Sequence, residues 1–164
     1  MFQPGDTIVY GSNGVCRILG EQEESFGGVR QRYYRLRPVG DERSVFYCPV
    51  DQAGEKLRPL LTASEVQEWI RRMPDAETVP LPEGSRRRET VSAMLKSGDH
   101  AQLIGLIVTL HRHRLEKQAA GKKLHQTDER TLQEAERLLY GEFAHALNIP
   151  SETVPDYIRN TLQA

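Results

Sequence analysis

The first sixty residues of the chain are divided into short segments by residues that favour turns, which limits what this part can form. Pro4-Gly5-Asp6 predicts a tight turn, because proline presets φ and glycine accepts a positive φ. Gly11-Ser-Asn-Gly14 is dense in residues that tolerate a left-handed backbone and therefore reverses the chain. Residues 7–10 and 15–19, on either side of that reversal, are rich in strand formers. The pattern predicts an antiparallel hairpin.

Three further strand-like runs follow this hairpin before residue 60. Residues 21–28 are polar and end in Gly-Gly, which predicts a turn or a flexible hairpin tip. Residues 30–37 alternate as a polar strand, residues 44–49 form an apolar strand, and residues 56–59 form a last short strand. About five short strands with tight turns predict a small antiparallel barrel of the SH3/Tudor type over the first 59 residues.

At Thr62 the spacing of apolar residues changes from the strand period to the helical period. Thr62 and Glu65 form a capping box, in which each side chain satisfies a free amide at the start of a helix. The stripe that follows consists of Val66, Trp69, Ile70 and Met73, which places the only tryptophan in the core. After a Pro-rich connector at residues 75–84, four more helical patterns run to the end of the chain, with Ser151 as the N-cap of the last. We therefore expect an α+β chain with a compact five-helix domain over residues 60–164.

The two cysteines, Cys16 and Cys48, lie in apolar strand-like runs without metal-binding spacing. They are expected to be small buried hydrophobic residues; a disulfide between neighbouring strands is the alternative, which a reducing compartment disfavours. No run approaches the roughly 18 apolar residues of a membrane span, and the start of the chain has no secretory-signal pattern. These observations predict a cytoplasmic protein.

No residue pattern supports an enzymatic reaction. The sequence contains no nucleophile elbow, Walker A loop or dinucleotide fingerprint. His111 and His113 are the most metal-like pair, but residues two apart on a helix point about 200° apart and cannot share one ion. His145 is expected at the surface. We predict a protein without catalytic activity, metal or cofactor.

Charge is informative only locally, because the net charge of the chain is −1. Arg86, Arg87 and Arg88 stand near a helix start, where the helix dipole opposes positive charge, so folding alone does not favour them. One interpretation is contact with the DNA backbone; the other is a solvated junction that pairs with Glu83 and Glu89. Other basic residues extend the patch if the helices bring them together: Lys96, Arg112, Arg114, Lys117, Lys122 and Lys123.

The opening Phe2-Gln-Pro-Gly-Asp-Thr-Ile-Val-Tyr-Gly-Ser-Asn-Gly-Val-Cys resembles the start of the CarD/CdnL family of bacterial transcription regulators. That family shares its N-terminal domain with the RNA-polymerase-interacting domain of transcription-repair coupling factor. The resemblance continues through Tyr33-Tyr34-Arg-Leu and Tyr47-Cys-Pro-Val50. In the helical half it covers Ser85-Arg-Arg, Leu95-Lys-Ser-Gly-Asp99, Asp128-Glu-Arg and Leu138-Leu-Tyr-Gly-Glu142.

The resemblance implies a Tudor-like barrel that docks on the RNA polymerase β subunit, and a helical domain that touches promoter DNA and shifts the stability of the open complex. Docking by strand addition would use Val45, Phe46, Tyr47 and Cys48, with Phe46 or Tyr47 as the aromatic anchor. By the same resemblance, Arg86 and Arg87 are expected to contact DNA, and Arg88 is a further candidate.

The chain departs from the family at three positions. Gly84 stands where the best-known members carry a tryptophan that wedges beside a base, and Glu24 and Tyr47 stand where they carry basic residues. We therefore predict a transcription regulator that binds the RNA polymerase β subunit and, weakly and through the backbone, promoter DNA. The alternative is an adaptor that binds polymerase or another protein without touching DNA. The sign of regulation, the promoters served and self-association are left open.

Overall fold

The computed structural model describes residues 2–164 and divides into two compact units, one ending at Leu60 and the other spanning Leu61–Ala164. The first unit holds a β-sheet and the second holds a group of helices. The α+β class predicted from the sequence is confirmed. Among the described residues, no helix combines the length and apolarity that a membrane span needs.

The first unit is one antiparallel five-stranded sheet with the order β4-β3-β2-β1-β5. Its strands are β1 (Thr7–Tyr10), β2 (Val15–Phe26), β3 (Val29–Pro38), β4 (Phe46–Pro49) and β5 (Leu57–Pro59). The predicted closed barrel is not what the structure contains, since β4 and β5 end the sheet on opposite sides. These two strands are only four and three residues long, and a helical segment that includes α1 (Ala53–Lys56) lies between them. The sheet therefore keeps two free edges.

The hairpin of β2 and β3 is longer than predicted. The turn expected over residues 21–28 is wrong, because β2 continues to Phe26 and only Gly27 and Gly28 turn, with φ of 60° and 81°. Two cross-strand ion pairs stabilise the polar part of the hairpin, Arg30–Glu23 at 3.0 Å and Arg32–Glu21 at 3.1 Å.

One face of the sheet is buried around both cysteines. This core contains Ile8, Cys16, Ile18, Tyr34, Leu36, Cys48, Ala53 and Leu57. Both cysteines are free and fully buried, so the predicted role of small hydrophobic residues is confirmed and the disulfide alternative is not realised. Burial raises the pKa of the Cys16 thiol to about 11 and also raises the pKa of Cys48.

The second unit contains five α-helices, as predicted. They are α2 (Ala63–Arg72), α3 (Ser85–Ser97), α4 (His100–Ala119), α5 (Gln126–Leu147) and α6 (Val154–Gln163). The capping box of Thr62 and Glu65 is present, and the Asp99 side chain accepts bonds from two amides at the start of α4. Ser151 is not the N-cap of α6, because residues 151–153 form a 3-10 turn before it and Thr153 takes that position.

The core of this unit lies between α4 and α5, with α2 and α6 packed against it. Trp69 packs against this core as predicted, and Leu115, near the end of α4, is 65% exposed. The connector before α3 crosses α4 at a glycine: a Cβ on Gly105 would lie 2.7 Å from Val79 Cγ1. Next to it, the Val79 amide donates to Thr109 Oγ1 at 2.8 Å. The connector is thus fixed on α4 before it enters α3.

Candidate functional site

Strand β4, which carries the predicted anchor residues, is an edge of the sheet. It pairs only with β3, in the register Leu36–Phe46, Arg35–Tyr47 and Tyr34–Cys48. The amides and carbonyls on its other side have no strand to pair with in the described sheet. An edge of this kind is the natural acceptor for an added strand from a partner.

The four residues predicted at this edge differ in what they present. Val45 precedes the strand and is half-buried. Phe46 packs toward the core, edge-on to Tyr10 with the ring centroids 6.3 Å apart, while Cys48 is fully buried and offers only its backbone. Tyr47 points to the opposite face and is 37% exposed. Of the two predicted anchors, the geometry favours Tyr47.

Tyr47 belongs to a cluster of three aromatic rings that the sequence reading missed. Phe26 on β2, Tyr33 on β3 and Tyr47 on β4 meet on the face of the sheet opposite the cysteine core. Their ring centroids are 5.1 Å (Phe26–Tyr33), 5.4 Å (Phe26–Tyr47) and 6.2 Å (Tyr33–Tyr47) apart, all nearly perpendicular. The signal was the strand alternation of β3, which sends Tyr33 and Tyr34 to opposite faces. The polar stretch before Phe26 predicts a turn, which hides the place of Phe26 on β2.

The polar residues around this aromatic cluster are bonded to one another. Arg35 Nη1 donates to Gln22 Oε1 at 3.1 Å, Gln22 Nε2 in turn donates to the Glu24 carboxylate, and Gln31 Nε2 donates to the Tyr33 hydroxyl at 2.8 Å. Of the charged residues in 20–35, the strand register places only Glu24 and Arg35 on this face, one of each sign. The face offers apolar area with a neutral polar border.

The three adjacent arginines of α3 have different environments. Arg87 is bonded to Asp128 in the first turn of α5, with Nε–Oδ1 at 3.2 Å and Nη2–Oδ2 at 2.9 Å. Arg86 and Arg88 are exposed, and neither makes an ion pair with Glu83, Glu89 or any other side chain in residues 2–164. The helix begins after Gly84, whose φ is 72°, without a side-chain cap. Arg86 and Arg88 are therefore the two arginines of this run that can reach a ligand.

Two of the basic residues predicted to extend the patch, Arg114 and Lys123, lie at the same end of the helical unit as the three arginines. The start of α5 bonds to α3 through Asp128 and to α4 through Glu129, which receives a 2.5 Å bond from Arg114. A surface cleft of about 460 Å³ opens there, lined by Arg114, Gln118, Lys123, Leu124, Gln126 and Glu129. Lys96 stands ten residues after Arg86, about 15 Å along α3, and does not belong to this group.

The histidines give no metal site. His111 Nε2 lies 3.9 Å from the Glu136 carboxylate, and His145 is exposed as predicted. No group of three or more His, Cys, Asp or Glu side chains with metal-binding geometry occurs within the described range 2–164.

A buried carboxylate in the helical unit was also missed. Glu142 is 2% exposed; its Oε1 lies 2.8 Å from His100 Nε2, and its Oε2 accepts a 3.0 Å bond from the Leu61 amide. The His100 ring also lies 5.6 Å from that of Trp69. The available signal was that Glu142 follows Leu138 and Leu139 at helical spacing, on the buried stripe of α5. The Glu142 carboxylate thus joins α5 to α4 and to Leu61, just before the start of α2, and we call this arrangement the structural clamp.

Comparison with family models identifies the first unit. Residues 2–61, which include the whole sheet, match the family model described as the CarD-like/TRCF RID domain. No curated protein matches the chain significantly.

Proposed function

We propose that this chain is a regulator that docks on the RNA polymerase β subunit through the β4 edge. The support is that residues 2–61 match the CarD-like/TRCF RID domain, which suggests an RNA-polymerase-interacting, transcription-related protein. The domain match, together with the free edge of β4, carries the proposal. An added strand would pair with the backbone of β4, and Tyr47 would supply the side-chain contact beside it. The proposal includes no catalytic activity.

We propose further that the helical unit contacts promoter DNA through Arg86 and Arg88. The support is their exposure at a helix start, where the dipole disfavours them for folding and favours an anionic ligand. Lys123, at the same end of the unit, would extend the contact. Such contacts read the backbone rather than the bases, and their strength falls as salt rises. Their proposed effect is a shift in open-complex stability.

Tyr47→Glu tests the docking half of this proposal. The change places a charge beside the strand edge without altering the buried face, so polymerase retention should be lost while the far-UV circular dichroism spectrum is unchanged. Tyr47→Phe keeps the ring and serves as the matched control, which should retain polymerase. Full retention of polymerase by a folded Tyr47→Glu protein would contradict docking at this edge.

The adaptor without DNA contact is the second candidate, and two observations favour it. Arg87 is already used by Asp128, and Gly84 provides no side chain to wedge beside a base. A double variant, Arg86→Ala with Arg88→Ala, separates the two functions. For a DNA-contacting regulator, it should retain polymerase as the wild type does but form less stable promoter complexes, with the difference shrinking as salt rises. Promoter complexes equal to wild type at low salt would favour the adaptor.

A further inference from the structure

The aromatic cluster of Phe26, Tyr33 and Tyr47 reaches further from the sheet edge than strand addition requires. Phe26 lies on β2, two strands from the β4 edge, which corresponds to about 9–10 Å across a regular sheet. Its ring centroid is nevertheless only 5.4 Å from that of Tyr47. Phe26 also pairs with Val29, six residues along β3 from Arg35, the partner of Tyr47, so the end of the hairpin bends back over the sheet to bring the two rings together.

This arrangement exposes apolar area that folding does not use. Phe26 is 48% exposed and Tyr47 is 37% exposed, while Tyr33 beneath them is only 7% exposed. Val29, the cross-strand partner of Phe26, is 59% exposed and widens the apolar surface. Two half-exposed rings supported by a buried third ring form a rigid surface, and rigid aromatic residues are the usual centres of binding energy.

We propose, on the basis of the polymerase docking proposed above, that the partner segment lies along β4 and also covers the aromatic cluster with an apolar side chain. The free edge specifies an extended segment as the occupant, and the rings next to that edge specify its chemistry. A strand added beside β4 would place every second side chain on the outer face, next to Tyr47. An aliphatic side chain at that position contacts both Tyr47 and Phe26.

The electrostatics of the hairpin support an apolar partner rather than a charged one. The ion pairs Arg30–Glu23 and Arg32–Glu21 lie on the opposite face of the hairpin, and on the face of the cluster Arg35 is joined through Gln22 to Glu24. On the face that carries the cluster, Glu24 and Arg35 are the charged side chains of residues 20–35 and have opposite signs, so the immediate surroundings of the cluster offer little attraction for a charged segment. Docking through this face should therefore depend weakly on ionic strength.

The test compares RNA polymerase retention by the full-length wild type, Phe26→Ala, Phe26→Tyr and Val39→Ala. Val39 is 40% exposed and lies outside the cluster, so it matches Phe26 in exposure. We expect Phe26→Ala to weaken polymerase binding about tenfold or more, whereas Phe26→Tyr and Val39→Ala bind as the wild type does. Raising the salt from about 0.1 M to about 0.5 M should change wild-type binding less than about threefold. Phe26 is not a core residue, and thermal denaturation checks that each variant is folded.

The outcomes separate this inference from the docking proposal. If the wild type does not retain polymerase, docking fails and the inference fails with it. If the wild type binds and Phe26→Ala equals Val39→Ala, docking stands and the role of the aromatic cluster is refuted. A steep loss of wild-type binding with salt likewise refutes the apolar partner while leaving docking intact.

Discussion

Replacing Arg87 or Asp128 separates two roles that Arg87 can have, a structural one and a DNA-contacting one. The two bonds between these side chains join the first turns of α3 and α5. The side chains are 24% and 17% exposed, so the pair is largely covered. We predict that Arg87 is structural: its bond to Asp128 holds the start of α3, and thereby the neighbouring Arg86 and Arg88, in place.

The magnitude follows from the burial and geometry of this pair. Fully exposed ion pairs contribute about 0.2–1 kcal/mol, and removing one partner of a fully buried pair costs about 3–5 kcal/mol. The free-energy contribution of a bidentate, partly covered pair should fall between these limits. Arg87→Ala and Asp128→Asn should therefore each lower the free energy of unfolding by about 2 kcal/mol. For a unit of this size, that corresponds to a decrease in Tm of about 10 °C.

Thermal denaturation of both single variants and the double variant measures the pair directly. If the pair is structural, the double variant should be only slightly less stable than either single variant, because both lose the same interaction. Retention of promoter complexes should then fall modestly for both single variants. Conversely, if Arg87 is a phosphate ligand, Asp128→Asn frees a cation and removes an anion. Promoter affinity would then rise in Asp128→Asn and fall in Arg87→Ala, and these opposite signs would refute the structural role.

Three further predictions follow from buried contacts. Gly105→Ala should lower the free energy of unfolding by about 1–3 kcal/mol in a denaturant titration, since the new Cβ meets Val79, and Val79→Ala should recover part of the loss. Glu142→Ala should cost about 3 kcal/mol, because it leaves His100 and a main-chain amide buried without their acceptor; Glu142→Gln should cost clearly less, and equal losses would contradict the clamp. Burial raises the pKa of Cys16 to about 11, so the folded state favours the neutral thiol. The thiol contribution to stability should be complete below pH of about 8.5 and be lost as pH rises toward 11, whereas Cys16→Ala should flatten this alkaline loss.

The alternation of turn residues and the change of period at Thr62 were sufficient to predict the class of fold. Both signals are local: glycine and proline restrict the backbone where they stand, and apolar spacing reports which face of an element is buried. The helix start at Thr62 was predictable for the same reason, because capping is decided within one turn.

Pairing across the sheet was not predictable, because it depends on residues far apart in sequence. Residues 21–26 read as a polar turn until Arg30 and Arg32 are placed diagonally across from Glu23 and Glu21 on the neighbouring strand. Closure of the barrel also failed as a prediction, since whether the first and last strands meet depends on the path of the chain between β4 and β5.

In the candidate sites, too, local features were visible in the sequence and long-range contacts were not. The arginine run was visible in the sequence, yet only the tertiary contact with Asp128 distinguishes Arg87 from its two neighbours. The aromatic cluster combines side chains from three strands, and its recognition required the register of β2 against β3 and of β3 against β4. Long-range geometry thus decides which of the visible residues are available to a partner.

The two proposed contacts depend on each other energetically. Two exposed arginines neutralise few phosphates, and sequence-independent DNA binding of this kind typically has a Kd of about 10⁻⁴–10⁻⁶ M. Docking on polymerase would hold the helical unit near the promoter at an effective concentration on the order of millimolar, which exceeds such a Kd. A weak DNA contact is then occupied in the polymerase–promoter complex, although the free protein would leave DNA mostly unbound. If the proposed DNA contact exists, this coupling would confine it to promoters where polymerase is already bound, despite the net charge of −1 and Gly84 in place of a wedge.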